Sequence, residues 1–110
     1  MVNESHTAVV ARNVGWTGPD ATEPYEAGWA REAVIFVRAL EADGPAGTAR
    51  VQLSPDGMRW VDEGTSFPLP SRREGVTFAR VREFGTWLRI AVDLPPGTAL
   101  TVMVTISLKA

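Results

Sequence analysis

Apolar residues alternate with polar ones along most of this chain, and the alternation is cleanest over residues 100–109. There Leu100, Val102, Val104, Ile106 and Leu108 fall on one side, and Thr101, Met103, Thr105, Ser107 and Lys109 on the other. A period of two is that of a half-buried β-strand. Upstream, Leu88, Ile90, Val92 and Leu94 share one face of a second strand, which Pro95-Pro96-Gly97 ends in a turn. These two strands are expected to pair or to face each other across the core. Residues 76–82 read as a third strand, and Val9 and Val10 begin an N-terminal one that ends near Gly15.

The sharpest punctuation is Ser54-Pro55-Asp56-Gly57. Proline presets φ, aspartate offers a side-chain acceptor and glycine accepts positive φ, so the chain reverses there. Ala49-Arg50-Val51-Gln52-Leu53 alternates before the turn; after it, Met58 and Trp60 are expected to share a half-buried face with Arg59 pointing away, as in a hairpin. Residues 30–42 can be read two ways. Ala30, Ala33, Val34 and Val37 have helical spacing, but Val34-Ile35-Phe36-Val37 is a β-rich block that favours a strand. Three loops remain: 17–28, rich in glycine, proline and acid; the short 43–47 turn; and 64–75, with Arg72, Arg73 and Glu74 at its tip. Loops of about twelve residues suggest functional use.

About seven strand candidates separated by turn signals predict a single all-β domain over residues 1–110, an antiparallel β-sandwich of jelly-roll-like or immunoglobulin-like layout, with residues 1–7 as a flexible tail. Composition agrees: 110 residues, 45% hydrophobic and 22% charged, suit one core. Eleven basic against thirteen acidic residues give a net charge of −2, which provides no general footprint for nucleic acid or acidic membranes. The N-terminal segment does not read as a secretory signal, and no apolar run approaches the roughly 20 residues of a membrane span. The expected location is the cytoplasm on synthesis.

No catalytic, cofactor or metal constellation stands out, and the chain is expected not to be an enzyme. The absence of cysteine removes disulfides, thiolate zinc sites and thiol nucleophiles. His6, the sole histidine, is expected in the solvated tail. Asp20, Glu23 and Glu26 make an oxygen-rich loop without EF-hand spacing. Asp56, Asp62 and Glu63 could suggest a carboxylate pair, but Asp56 is better explained by its turn.

The residues left for a partner are Trp16, Trp29, Arg72, Arg73, Arg80, Arg82, Trp87 and Arg89. Trp16 and Trp29 bracket the acidic loop and either anchor it or contact a partner. Trp60 and Trp87 sit in strand patterns where packing is the default. Trp87 lies opposite Leu88, Ile90 and Val92, beside Arg89, on which it could stack. Arg80, Arg82 and Arg89 would form one basic sheet face if their strands pair, and arginine suits protein interfaces through its planar fork.

The run Val51-Gln52-Leu53-Ser54-Pro55-Asp56-Gly57-Met58-Arg59-Trp60-Val61, followed by Phe84-Gly85-Thr86-Trp87-Leu88-Arg89-Ile90-Ala91-Val92, resembles small β-sandwich proteins encoded among genes of phages and phage-like particles. The resemblance spans roughly residues 30–109. It implies a decoration or minor structural component of a capsid or tail, whose partners are its own copies and a shell or tail protein. The same segments resemble discoidin-type domains, which implies the alternative of a carbohydrate-binding module using Trp16, Trp29 or the 64–75 loop. The sialidase Asp-box differs by a residue between Asp56 and Gly57 and by repetition, and it is set aside.

Overall fold

A computed structural model describes residues 5–110 as nine β-strands without a helix: β1 (Ser5–Trp16), β2 (Pro19–Ala21), β3 (Tyr25–Glu26), β4 (Glu32–Asp43), β5 (Thr48–Ser54), β6 (Val61–Pro68), β7 (Val76–Arg82), β8 (Trp87–Asp93) and β9 (Ala99–Lys109). They form two antiparallel sheets. The first has the order β1-β9-β4-β7; the second runs β2-β8-β5-β6, with β3 also on β8. Counting β2 and β3 as one interrupted strand along β8 leaves eight strands that alternate between sheets as a jelly roll does. The strand alternative for residues 30–42 is the one realised.

Periodicity and burial agree strand by strand. β9 buries Leu100, Val102, Val104, Ile106 and Leu108 between β1 and β4. β8, central in the other sheet, buries Leu88, Ile90 and Val92. The two strands therefore face each other across the core instead of pairing. Ile35 and Val37 of β4, Ala49 and Val51 of β5, and Ala79 and Val81 of β7 complete the apolar layer.

Local chemistry moves several expected boundaries. Residues 1–4 of the expected tail lie outside the described residues, but Ser5, His6 and Thr7 already pair with Lys109, Leu108 and Ser107 as the start of β1. Strand β6 continues through Gly64 to Pro68, so the loop expected at 64–75 shrinks to 69–75, and Leu69 is buried with its N–H donated to the Gly47 carbonyl. The expected 17–28 loop is stitched to β8: Thr22 N–H donates to the Ile90 carbonyl at 3.0 Å, and Ile90 N–H donates to Thr22 Oγ1 at 3.1 Å. The threonine hydroxyl replaces a ladder bond where the strand breaks before Pro24.

The Pro-Asp-Gly turn reverses the chain as expected, but Met58 and Trp60 do not continue a hairpin strand. Asp56 Oδ1 accepts both the Met58 and Arg59 N–H groups at 2.9 Å, and Ser54 Oγ accepts from Asp56 N–H at 3.2 Å and Gly57 N–H at 2.8 Å. Amides that would have entered a ladder are capped by side chains, so β6 starts only at Val61 and Met58 stands 77% exposed. Gly57 has φ 78°, and a Cβ there would lie 3.1 Å from the Trp87 ring, so glycine lets the turn lie on the indole.

These bonds to Asp56 depress its carboxyl pKa from 3.8 to about 2, the Arg59 N–H first, then Met58 N–H and the Ser54 hydroxyl. A depressed acid stabilises the folded state fully above its unfolded pKa, and that contribution disappears as pH falls through the folded value. Asp56 is therefore expected to remain ionised at pH 3, with the turn loosening only as pH falls further. A carboxyl-carbon NMR titration of Asp56 with a midpoint near 4 would contradict this.

Candidate protein-interaction surface

The outer face of the first sheet carries side chains that no core requires. Register places Val9, Thr105, Phe36 and Phe78 in one row across β1, β9, β4 and β7. Phe36 and Phe78 are 38% and 48% exposed, their ring centroids 6.0 Å apart and the rings tilted by 36°. Val76, two residues along β7, is 55% exposed. A cross-strand aromatic pair adds only about 0.2–1 kcal/mol to a sheet, and exposed apolar side chains gathered in one row, unlike singly scattered ones, have the pattern of an interaction surface.

Cations flank this aromatic row. The Arg80 guanidinium lies 5.1 Å from the Phe78 ring centroid, and Arg82 and Lys109 follow towards the end of the sheet. On the other side stand Arg12 and Arg38. Outward positions of this sheet thus hold five cations against the carboxylates of Glu32, Glu41 and Asp43, on a chain of net charge −2. Beside the row, Glu32, Val34, Phe36, Arg80, Arg82 and Ser107 line a shallow open groove of about 370 Å³. Exposed ion pairs tie some of the charge locally: Arg38 to Glu74 at 2.6 Å, and Arg82 to Glu32 at 3.9 Å. Such pairs contribute little to stability, which leaves the arginines available for exchange with a partner.

The outer face of the second sheet is different in kind. Gln52 Nε2 and Arg50 Nε both donate to Asp62 Oδ1, at 2.9 and 3.3 Å, while Gln52 Oε1 accepts from Arg89 Nε at 2.9 Å. The Arg89 guanidinium stacks 4.3 Å from the Trp60 ring centroid. Burial, and then the charge of Arg50, lowers the Arg89 pKa, although the group remains a cation at neutral pH. This chain of contacts across β5, β6 and β8 occupies its own donors and acceptors, so it stiffens the sheet more than it offers free recognition groups.

The expected partner residues are scattered by this arrangement. Trp16 is 1% exposed and belongs to the core, which excludes it from contacting a partner. Trp29 is partly exposed, edge-on to His6 with centroids 5.0 Å apart; His6 is thus a strand residue with an aromatic neighbour and not part of a tail. Arg72 and Arg73 sit at the exposed tip between β6 and β7, with Arg73 Nε 3.9 Å from Glu41. Arg80 and Arg82 lie on the first sheet, whereas Trp87 and Arg89 lie on the second, so the single basic face of Arg80, Arg82 and Arg89 does not form. Strands β7 and β8 are consecutive yet belong to opposite sheets. Trp87 packs under Gly57 while Arg89 stacks on Trp60, and Trp60 is only half buried, outside the core.

Phe36 and Phe78 are what the sequence reading missed. Their signal was parity: Phe36 alternates out of phase with Ala33, Ile35 and Val37, and Phe78 shares its face with Arg80 and Arg82. Among the described residues, no group of three or more histidine, aspartate or glutamate side chains is placed to hold a metal ion. In the acidic loop, Asp20 Oδ1 accepts from Ala21 N–H and Glu26 Oε1 from Gly28 N–H. Among the described residues, no helix is long and apolar enough to cross a membrane.

No protein-family model matches this chain, and no curated protein matches it. Its fold does recur among solved structures. The SPBc2 prophage-derived protein YomS aligns over 100% of this chain and 96% of its own length, with a TM-score of 0.68 and 11% identity. The PBSX exported protein XepA aligns over 99% of this chain but 37% of its own length, with a TM-score of 0.54 and 12% identity. PirA aligns over 94% of this chain and 92% of its own, with a TM-score of 0.50 and 15% identity. At these identities the likeness is one of fold, and one of the three proteins, YomS, is named as prophage-derived.

Proposed function

We propose that this chain is a non-enzymatic structural protein that binds its own copies and a shell or tail protein, as a decoration or minor component of a phage-like capsid or tail. It would be made in the cytoplasm and carried on the particle surface. The observation that carries the reading is the Phe36–Phe78 row between rows of arginine on the outer face of the first sheet. Aromatic residues and arginine supply most of the energy at protein interfaces, and a positive face selects an acidic partner surface. The prophage-derived name of one structural neighbour, YomS, supports the setting.

The test is a Phe36→Ser/Phe78→Ser double variant. Both rings stand outside the core, so the melting temperature should stay within a few degrees of the parent. Binding to phage-like particles, read by co-sedimentation, should weaken by about 30-fold or more, the scale of a lost hot spot. A parent protein that is strictly monomeric and co-purifies with no assembly would overturn the reading. The carbohydrate-binding alternative loses Trp16 as a platform because its indole is in the core. A tryptophan fluorescence response to a glycan would revive that alternative.

A further inference from the structure

Each sheet ends in an edge strand, and three of the four edges are spoiled for pairing with another chain. β1 carries bulges at Val10 and Asn13, the latter with φ 56°. On the second sheet, β2 is three residues long and begins with Pro19, while β6 has a register break against β5, a left-handed Gly64 and a terminal Pro68. Such devices prevent edge-to-edge association. The fourth edge, β7, keeps an unbroken register with β4 from Val76 to Arg82 and contains neither proline nor glycine.

The free hydrogen-bonding groups of β7 can be assigned. Glu83 N–H donates to the Arg31 carbonyl at 2.7 Å and Ala39 N–H to the Gly75 carbonyl at 3.0 Å, so the odd-numbered residues of this ladder bond to β4. In an antiparallel pair the bonding residues alternate, so Val76, Phe78, Arg80 and Arg82 direct their N–H and C=O groups to the open edge. We propose that two copies of this chain join through β7, antiparallel, about a two-fold axis at Ala79. This deepens the assembly reading by naming the strand through which copies meet.

The sequence of the strand is complementary to itself in that register. Phe78 faces Arg80 of the second copy and Val76 faces Arg82, so all four edge-facing residues bond and no arginine meets an arginine. The Phe78–Arg80 contact already present within one chain, at 5.1 Å, is repeated across the axis. Centring on Arg80 instead would oppose two guanidinium groups. Centring on Phe78 would enlist Glu74, which has φ 65° and is already bonded to Arg38. The pairing about Ala79 makes one eight-stranded sheet and carries the aromatic-basic face across both copies, an isologous interface of the closed kind.

The chain lacks cysteine, so introduced thiols report the register directly. Val76 and Arg82 are both exposed on β7 and lie on opposite sides of the proposed axis. A Val76→Cys/Arg82→Cys double variant should oxidise to a covalent dimer on a non-reducing gel, at least tenfold faster than either single variant. In sedimentation velocity the parent should dimerise, Val76→Glu should tighten the dimer about threefold or more by facing Arg82, and Val76→Lys should weaken it. A parent that dimerises while the double variant cross-links no faster than the singles overturns the β7 edge but leaves the assembly reading. A monomeric parent overturns the β7 pair, and the assembly reading falls with it only if that monomer also fails to bind particles.

Discussion

Replacing Trp16 with alanine should remove about 3–5 kcal/mol of stability, the loss typical of deleting a large buried aromatic. The indole closes β1 opposite Leu100, 1% exposed, and is among the largest side chains fully enclosed by the two sheets. A domain of this size has about 5–15 kcal/mol in total, so the variant should show a markedly lower urea midpoint with its m-value retained. Trp16→Phe should recover much of the loss, because a ring still fills most of the space. A Trp16→Ala midpoint within about 0.5 kcal/mol of the parent would place the indole outside the core.

Gly44→Ala should cost about 3 kcal/mol for a different reason, backbone overlap added to strain. Gly44 has φ 87°, and a Cβ there would overlap the Gly97 carbonyl oxygen and lie 2.8 Å from its carbon. Two turns meet at this point, β4 to β5 and β8 to β9, and Thr98 Oγ1 fastens them by donating to the Pro45 carbonyl at 2.5 Å. Neither turn can retreat without releasing that bond. Gly97→Ala is the control: φ is 86° there too, but the space around its Cβ is open, so only the left-handed penalty of about 1–2 kcal/mol applies. Equal losses in thermal or urea unfolding for the two variants would show that overlap at Gly44 is relieved.

The inward and outward assignment of the long strands was legible in the chain because alternation states it directly. β8 and β9 bury every residue that the period-two pattern assigned to the core. The sheet to which a strand belongs has no such signal. Arg80 and Arg89 have the outward parity expected of them, yet the connection between β7 and β8 crosses from one sheet to the other and turns them to opposite sides of the molecule. The misplacement of Trp60 has a local cause, since Asp56 captures two amides and delays β6 to Val61. Phe36 and Phe78 were readable by parity alone. They escaped because phenylalanine in a β-rich block suggests a core, whereas the alternation of their neighbours points them outward.

The position of β9 has a kinetic consequence. This strand follows every other in chain order, yet it is bonded on both sides, to β1 and to β4. β1 has no ladder, and β4 none beyond its pairing with β7, until β9 is in place, so loop-closure entropy must be met early and contacts reward it late. Refolding should accordingly fall in the millisecond-to-second range of non-local β proteins, with the sides of β1 and β4 that await β9 exposed to aggregation meanwhile. Deleting β9 would remove the keystone of the first sheet, whereas deleting β1 would trim only its margin.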